Sequence, residues 1–401
     1  MVAPSSQFAV VDTELADIDG DGALELVGIA PDGDSHYDDA RVIVMDTETL
    51  TIKWASAPYE GLFDLAVGDV LTSVAGLEII TNNGVVLGGI SQEEEWVYPF
   101  GFSVEVDTGD VDGDGQEEIV AIASGDLFTV FDANLGTPLW EVANLGDLSC
   151  LLVANVDNTP RAEIIIGSGQ WGDIFIYDGL TRQESWRIDM FDHGSTQLYH
   201  GDPDQDGSME ILWGTGASSS GEDHLVVADV ARGEFDWYNP FQIDGYFIPG
   251  GLGDFNGDGV LEFLVGTSST SSGYSGPMIF AFDQSTTGQV ADTPSLRSRR
   301  GDQLTMATGD YNDDGVTDIA LGTGQPTVEL YDVFGDSSLW TSDFMSADVT
   351  LVRFEEVNGA MALVGVFGRN LHVFRPPATA AVLSTTSLGA NIYDFDFCDL
   401  N

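Results

Sequence analysis

Lysine is almost absent from these 401 residues: Lys53 is the only one. Basic residues of both kinds number 12 against 67 acidic ones, a formal net charge of −55. Phosphate would be repelled by such a surface, which argues against a nucleic-acid partner. Cysteine is scarce, with only Cys150 and Cys398. Two free, partly buried thiols or one disulfide both fit that pair, so cysteine assigns no compartment. No apolar stretch of about 20 residues occurs, so no membrane span is expected. No secretory leader is visible, and Met1-Val2-Ala3-Pro4 reads as a start placed ahead of a mature domain. Histidine is limited to five positions, His36, His193, His200, His224 and His372. Zinc-site spacing, G-x-S-x-G, a phosphate loop and a nucleophile motif are all missing, so the residues carry no catalytic signature.

Aspartate and glycine, by contrast, recur in register. The segment Asp110-Val111-Asp112-Gly113-Asp114-Gly115-Gln116-Glu117-Glu118 places acids at positions 1, 3, 5 and 9 and Gly at position 6. Four other segments follow it: Asp17/Asp19/Asp21/Glu25, Asp202/Asp204/Asp206/Glu210, Asp254/Asn256/Asp258/Glu262 and Asp310/Asn312/Asp314/Asp318. Alternate residues of a tight loop turn their oxygens inward, and a carbonyl near position 7 completes a shell of about six hard ligands. That donor set suits Ca²⁺ better than zinc or copper. About five Ca²⁺ sites are therefore expected. An EF-hand opens in the same way but needs a bidentate Glu at position 12. Here position 12 is Gly28, Ala121, Trp213, Val265 or Leu321. The last acid instead precedes a short apolar run such as Ile119-Val120 or Ile211-Leu212, which reads as a buried strand. The loop therefore joins two strands.

Calcium does not account for the acidity. Ten positive charges from five Ca²⁺ still leave −45 of the −55. Carboxylates that keep a surface hydrated in high salt, and an acidic secreted protein screened by a saline medium, are both compatible with this excess. Loops of this kind generally suit free Ca²⁺ of about 10⁻⁴–10⁻³ M, which points outside the cell.

The loops mark an internal repeat. Full copies start at 17, 110, 202, 254 and 310, and degenerate copies at Asp69–Glu78, Asn155–Glu163 and around Glu356-Val357-Asn358-Gly359. The last three residues, Asp399-Leu400-Asn401, look like the start of one more. Tryptophan gives a second mark of the same period: Trp54, Trp96, Trp140, Trp186, Trp237 and Trp340 each sit near the end of a unit. Most follow a strand and an Asp/Gly/Thr turn, as in Tyr177-Asp178-Gly179 before Trp186, which is hairpin chemistry. Each unit thus reads as four strands; in the third these are 102–106, 118–123, 127–131 and 139–142. Units starting near 17, 69, 110, 155, 202, 254, 310 and 354, with four antiparallel strands each, predict an all-β propeller occupying 1–401 as one domain. Nine first strands, from 7–13 to 391–397, fit eight blades with one surplus strand. Seven blades plus an extra unit is the alternative. The surplus strand raises the expectation that chains self-assemble through it. Gly167, Gly214, Gly266 and Gly322 lie four residues past the position-9 acid, either to let blades approach or as ordinary turn glycines.

The Asp-x-Asp-x-Asp-Gly-x-x-Glu loops ahead of Ile/Leu/Val strands resemble FG-GAP/VCBS-repeat propellers, the group that includes the integrin alpha-subunit head. The Trp hairpins resemble the blade-closing motif of quinoprotein propellers. The first resemblance implies that calcium staples the first two strands of a blade, and that the chain is an extracellular binding, adhesion or surface-assembly module for a glycan or protein. It also leaves open a polysaccharide lyase acting on acidic polysaccharide, with Tyr199, His200 or His193 as base and Arg182 or Arg187 assisting. A quinoprotein-like oxidoreductase is the lesser alternative, since a buried Trp docking neighbouring blades explains the Trp mark without a cofactor. Arg297, Arg299 and Arg300 run into Gly301-Asp302. That segment reads as an adhesive Arg-Gly-Asp loop or as local charge balance.

Overall fold

The computed structural model describes the chain between residues 13 and 384, apart from 32–39, 47–50, 217–222, 239–246, 268–277, 284–304, 323–325, 333–336, 346–348, 357–360, 368–369 and a few shorter stretches or single positions. The described residues form strands and turns, with no helix. They make eight antiparallel sheets, numbered here in chain order: 13–55, 65–97, 105–143, 148–188, 195–238, 247–283, 305–341 and 349–384. Seven have four strands in simple meander order, and the sixth has three. Of the two counts open to the sequence, the described residues match seven four-stranded blades and one further unit. The ninth first strand, at 391–397, and the residues 7–12 of the first lie outside the described residues.

The first strands of successive sheets touch one another from sheet 1 through sheet 8, so they line the axis of a propeller ring and later strands lie outward. In sheet 3 the strands are Glu105–Gly109, Glu118–Ser124, Leu127–Asp132 and Thr137–Ala143. The first starts three residues later than the sequence pattern suggests. Phe102 belongs to the connection from sheet 2, where it is fully buried beside Phe131, with ring centroids 5.0 Å apart. An apolar residue looked like strand because an interblade core needed it.

Cores lie between sheets. One cluster joins Val106, Ile119 and Phe131 of sheet 3 to Ala66, Ile80 and Val86 of sheet 2. Another joins Val120, Phe128 and Val130 of sheet 3 to Ile164, Ile166 and Phe175 of sheet 4. Each middle strand therefore has apolar residues on both faces, which explains unbroken runs such as Ile164-Ile165-Ile166. The Trp mark has a common register. Trp54, Trp96, Trp140, Trp186, Trp237 and Trp340 pair with Val44, Val86, Val130, Ile176, Val227 and Leu330 of the third strand. In all six hairpins the register then shifts at a bulge, which bends the outer strand so that its Trp reaches an interblade cluster. Packing accounts for the Trp period.

Two sets of glycines set the blade spacing. A Cβ on Gly167 would lie 2.2 Å from Ser195 Oγ, and one on Gly322 would lie 2.4 Å from Val349 Cγ1, both in the next sheet. At these two positions blade approach is the role. The second set is the residue just before the loop: a Cβ on Gly109 would meet Val153 Cγ1 at 2.7 Å, on Gly201 Leu252 Cδ1 at 2.3 Å, and on Gly253 Thr317 Cγ2 at 2.6 Å. Gly109→Val should push sheets 3 and 4 apart and cost about 1–3 kcal/mol as overpacking. Thermal unfolding checks this; an unchanged melting temperature would remove the spacing role.

Candidate metal loops

Each sheet starts at its axial strand, so the first-to-second connections share one face of the ring. The five full loops have one internal scaffold there. The position-6 Gly N–H donates to Oδ2 of the position-1 Asp in all five, at 2.8–3.0 Å. The position-7 N–H donates to Oδ1 of the position-5 Asp, at 2.8–2.9 Å. Position 6 has φ of 84–92°, a left-handed geometry that glycine adopts without strain. In four of the five loops the second oxygen of the position-1 Asp also accepts a loop N–H, from position 4 or 5, while in the first loop Asp17 Oδ1 is buried without a hydrogen-bond partner.

The position-9 acid has a different task. One oxygen accepts the N–H of position 2: Val111 to Glu118 at 3.2 Å, Phe255 to Glu262 at 2.8 Å and Tyr311 to Asp318 at 2.9 Å. Position 2 is an interblade anchor, with Val111 and Phe255 buried in the clusters shared with the next sheet. The same bond persists in the degenerate loops, Val70 to Glu78 and Val156 to Glu163, both at 3.0 Å. The acid thus has a structural role even where the other ligand positions are lost.

Three of the five loops bring acids close enough to share an ion. Asp17, Asp19 and Glu25 each offer an oxygen within 4.8 Å of the others, as do Asp110, Asp112 and Glu118, and Asp254, Asp258 and Glu262. In the loop starting at 202, Glu210 groups instead with Asp229 and Asp236, from the third-strand end and the fourth strand. Pro203 at position 2 has no N–H to hold that acid in the usual place. Asp204 lies outside the described residues. In the loop starting at 310, Asp310, Asp314 and Asp318 keep the scaffold but do not gather in this way; Asp318 is one methylene shorter than Glu. Asn312, expected as the position-3 ligand there, is exposed to solvent. The loop starting at 254 has the same neutral, exposed amide and still gathers its acids, so the shorter position-9 acid is what sets the loop starting at 310 apart. The other amide, Asn256, donates through Nδ2 to Glu262 Oε1 at 2.8 Å and is engaged within its loop.

Charge separates the loops. In the loop starting at 110, burial and then the neighbouring Asp112 push Glu118 up to about 8, and burial followed by Asp114 raises Asp112. Burial raises Asp318 as well. Crowded carboxylates of this kind take up either a proton or a cation. Asp21 and Asp206 are lowered instead, by the N–H groups of Ala23 and Ser208 first and by Lys53 and Arg232 next. These two basic side chains went unassigned in the sequence because they come from outside the loop. Lys53 Nζ lies 2.6 Å from Asp19 Oδ2, 2.8 Å from Glu25 Oε1 and 3.4 Å from Asp21 Oδ2. Arg232 pairs with Asp206 at 2.7 Å, Asp229 at 3.1 Å and Asp236 at 2.5 Å. In sheet 2 the neighbouring sheet supplies partners: Asn134 Oδ1 accepts the Thr72 N–H at 2.9 Å, and Glu117 Oε2 accepts the Asp69 N–H at 3.2 Å.

Of the candidate lyase residues, Tyr199 and His200 are consecutive on the axial strand Ser195–Gly201, so their side chains leave opposite faces. Tyr199 packs on the cluster between sheets 5 and 6. Arg187 is on the outermost strand of sheet 4, its guanidinium 4.4 Å from the Phe175 ring centroid. Arg182 caps the third-to-fourth-strand turn of sheet 4, where its N–H donates to the Asp178 carbonyl at 2.8 Å. The Tyr199-His200 pair, Arg187 and Arg182 thus sit on three separate elements. His193, Arg297, Arg299, Arg300 and Cys398 lie outside the described residues. Cys150 is free and buried, its thiol pushed up to about 12 by burial.

No family profile matches the chain, and no curated protein sequence is similar to it. Solved structures are similar in fold. The computationally designed Ika8 protein is 14% identical, over 90% of this chain and 94% of its own, with a TM-score of 0.57. Sqt1 of Saccharomyces cerevisiae is 8% identical, over 97% of this chain and 88% of its own, with a TM-score of 0.52. The V. cholerae biofilm matrix protein Bap1 is 11% identical over 97% of this chain and 82% of its own, at 0.47, too loose a likeness to bear on function.

Glu78 gives a pH test free of any claimed metal site. Burial pushes it up to about 7 from 4.5, against the pull of the Leu71 and Val70 N–H groups. The folded state therefore holds this proton more tightly than the unfolded chain. Its contribution to stability is complete below about pH 4.5 and is lost as pH rises to about 7. Glu78→Gln should remove that slope, flattening the stability difference between about pH 5 and pH 8 by on the order of 1 kcal/mol in chelator. Denaturant melts of both proteins at the two pH values check it.

Proposed function

We propose that this chain is a calcium-stapled, non-catalytic propeller of the FG-GAP/VCBS kind, secreted or held at a cell surface, that binds a glycan or protein partner. One observation carries the calcium part: five loops repeat the same N–H scaffold, and three of them bring carboxylate oxygens within 4.8 Å of one another in a donor set made of hard oxygens. An ion held there would neutralise the acids and lock positions 1 to 9 together. Because position 2 is an interblade anchor, the ion would tie each hairpin to the neighbouring blade. The binding part rests on the propeller fold and on the extracellular calcium level that such loops suit. No helix of the described residues is long and apolar enough to cross a membrane.

Removing calcium should lower the melting temperature by about 5 °C or more, the shift expected when several bound ions each contribute to stability. The comparison is Ca²⁺ against chelator at equal ionic strength, because a chain of this charge responds to salt alone. Coincident melts would refute the staple. Co-sedimentation with neutral and acidic polysaccharides in Ca²⁺, read together with ultraviolet absorbance of unsaturated uronate ends, tests the partner. Binding without new absorbance is expected; rising absorbance would make the chain a lyase.

A further inference from the structure

The loop starting at Asp17 has the same scaffold as the others, yet its centre already holds a positive charge. Lys53 is on Thr51–Ala55, the outer strand of sheet 1, one residue before the Trp that docks in the core between sheets 1 and 2. That anchoring fixes the origin of the side chain. Its ammonium reaches three loop carboxylates, at positions 3, 5 and 9, and two of them, Asp19 and Glu25, belong with Asp17 to the trio close enough to share an ion. Glu25 is 1% exposed, and register places it directly opposite Asp46 on the third strand. A buried carboxylate facing a second acid needs a counter-charge. The ammonium supplies one through Oε1, while Oε2 of Glu25 and Oδ1 of Asp17 are buried without a hydrogen-bond partner.

We propose that Lys53 is the resident cation of the first loop, standing in the place of a metal ion, so that sheet 1 is stapled by the chain's only lysine while calcium goes to loops that lack an internal cation. This rests on the calcium reading above. Three donors on a compact, movable head make an ammonium a workable substitute for an ion in an oxygen cage. Sheet 5 repeats the device with a guanidinium. Register sets Glu210 opposite Asp229, and Arg232 joins Asp206, Asp229 and Asp236. Sheet 4 has a reduced form: Glu163 is opposite Asp178, and Arg161 pairs with Asp178 at 3.0 Å. Among the described residues no ion pair is recorded for Asp110, Asp112, Asp114 or Glu118 of the third loop.

The test counts bound Ca²⁺ per folded chain by equilibrium dialysis and elemental analysis, for the wild type, Lys53→Met and Lys53→Arg. Lys53→Met should bind one ion more than the wild type, and Lys53→Arg the same number as the wild type. Equal counts of one or more for wild type and Lys53→Met would overturn the proposal and leave the calcium reading standing; no binding by any of the three would overturn both. Should Lys53→Met fold only with Ca²⁺ present, the count is made on protein refolded in Ca²⁺, and the extra ion is still required. Acylation of Lys53 in the wild type, read by peptide mapping, gives a second measurement. An amine bonded to three carboxylates should react at least about tenfold more slowly than in the unfolded chain, since only a free amine attacks the reagent. Ca²⁺ should not change that rate. Acceleration by Ca²⁺ would mean that the ion displaces Lys53, and the proposal fails.

Discussion

The bond from the position-9 carboxylate to the position-2 N–H is the contact on which the molecule depends. It occurs in three of the five full loops and in two degenerate ones, and it links three things that have to be held together. The acid opens the second strand of a sheet. The N–H belongs to the residue that anchors the loop in the next interblade core. The second oxygen of the acid is left to face the loop centre. A buried carboxylate is costly unless its charge is answered, so the burial of the position-9 Glu, also in sheets 1 and 5 where this bond is absent, creates a standing demand for a cation or a donor at the ring face.

The sheets meet that demand in different ways. Lys53 answers it in sheet 1 and Arg232 in sheet 5, while in sheet 2 the Val70 and Leu71 N–H groups both donate to Glu78 and burial pushes that acid up to about 7. The loop starting at 110 gathers acids without a salt bridge among the described residues, Arg182 being only the last influence on Asp112, and burial drives Glu118 upward. Divalent ions fit this remainder. The degenerate loops are then folded without an ion and held by protein groups instead. Interblade packing is shared more evenly, because every described junction has its own apolar cluster and most carry a Trp from a bulged outer strand.

Much of this was legible in the residue order, because it is periodic. The Asp/Gly loops and the Trp hairpins repeat with the same spacing, and both fell on the strands and turns expected of them. Legibility failed where the third dimension decides. Phe102 looked like strand because burial between blades and burial within a strand leave the same apolar mark. Asn256 and Asn312 hold the same place in their loops and are both exposed, yet only Asn256 is seen bonded to the position-9 acid, a difference no pattern match carries. The glycine before the loop could have been found: Gly68, Gly109, Gly201, Gly253 and Gly309 all directly precede an Asp. It was hidden by the glycines inside the loop, which have an obvious backbone reason. Lys53 could not be placed on its loop, since 28 residues separate it from Glu25 and only the curl of the sheet brings them together. Nor could Tyr199 and His200 be separated in space from Arg187 before the axial and outermost strands were known.

The scarcity of basic residues then takes on a meaning that composition alone did not give. With 67 acids and 12 bases, each basic side chain could pair almost anywhere. Lys53, Arg161 and Arg232 nevertheless converge on acids at equivalent places in their sheets, around the position-9 carboxylate or the third-strand Asp beside it. Exposed pairs scattered over a surface would contribute little and would be screened by salt. A cation beside a buried acid is shielded from that screening and removes a penalty that no amount of salt in the medium can reach. The excess acidity and these three bases are thus two separate matters: the first is spread over the solvated surface, and Lys53, Arg161 and Arg232 stand where the ring would otherwise leave acids unanswered.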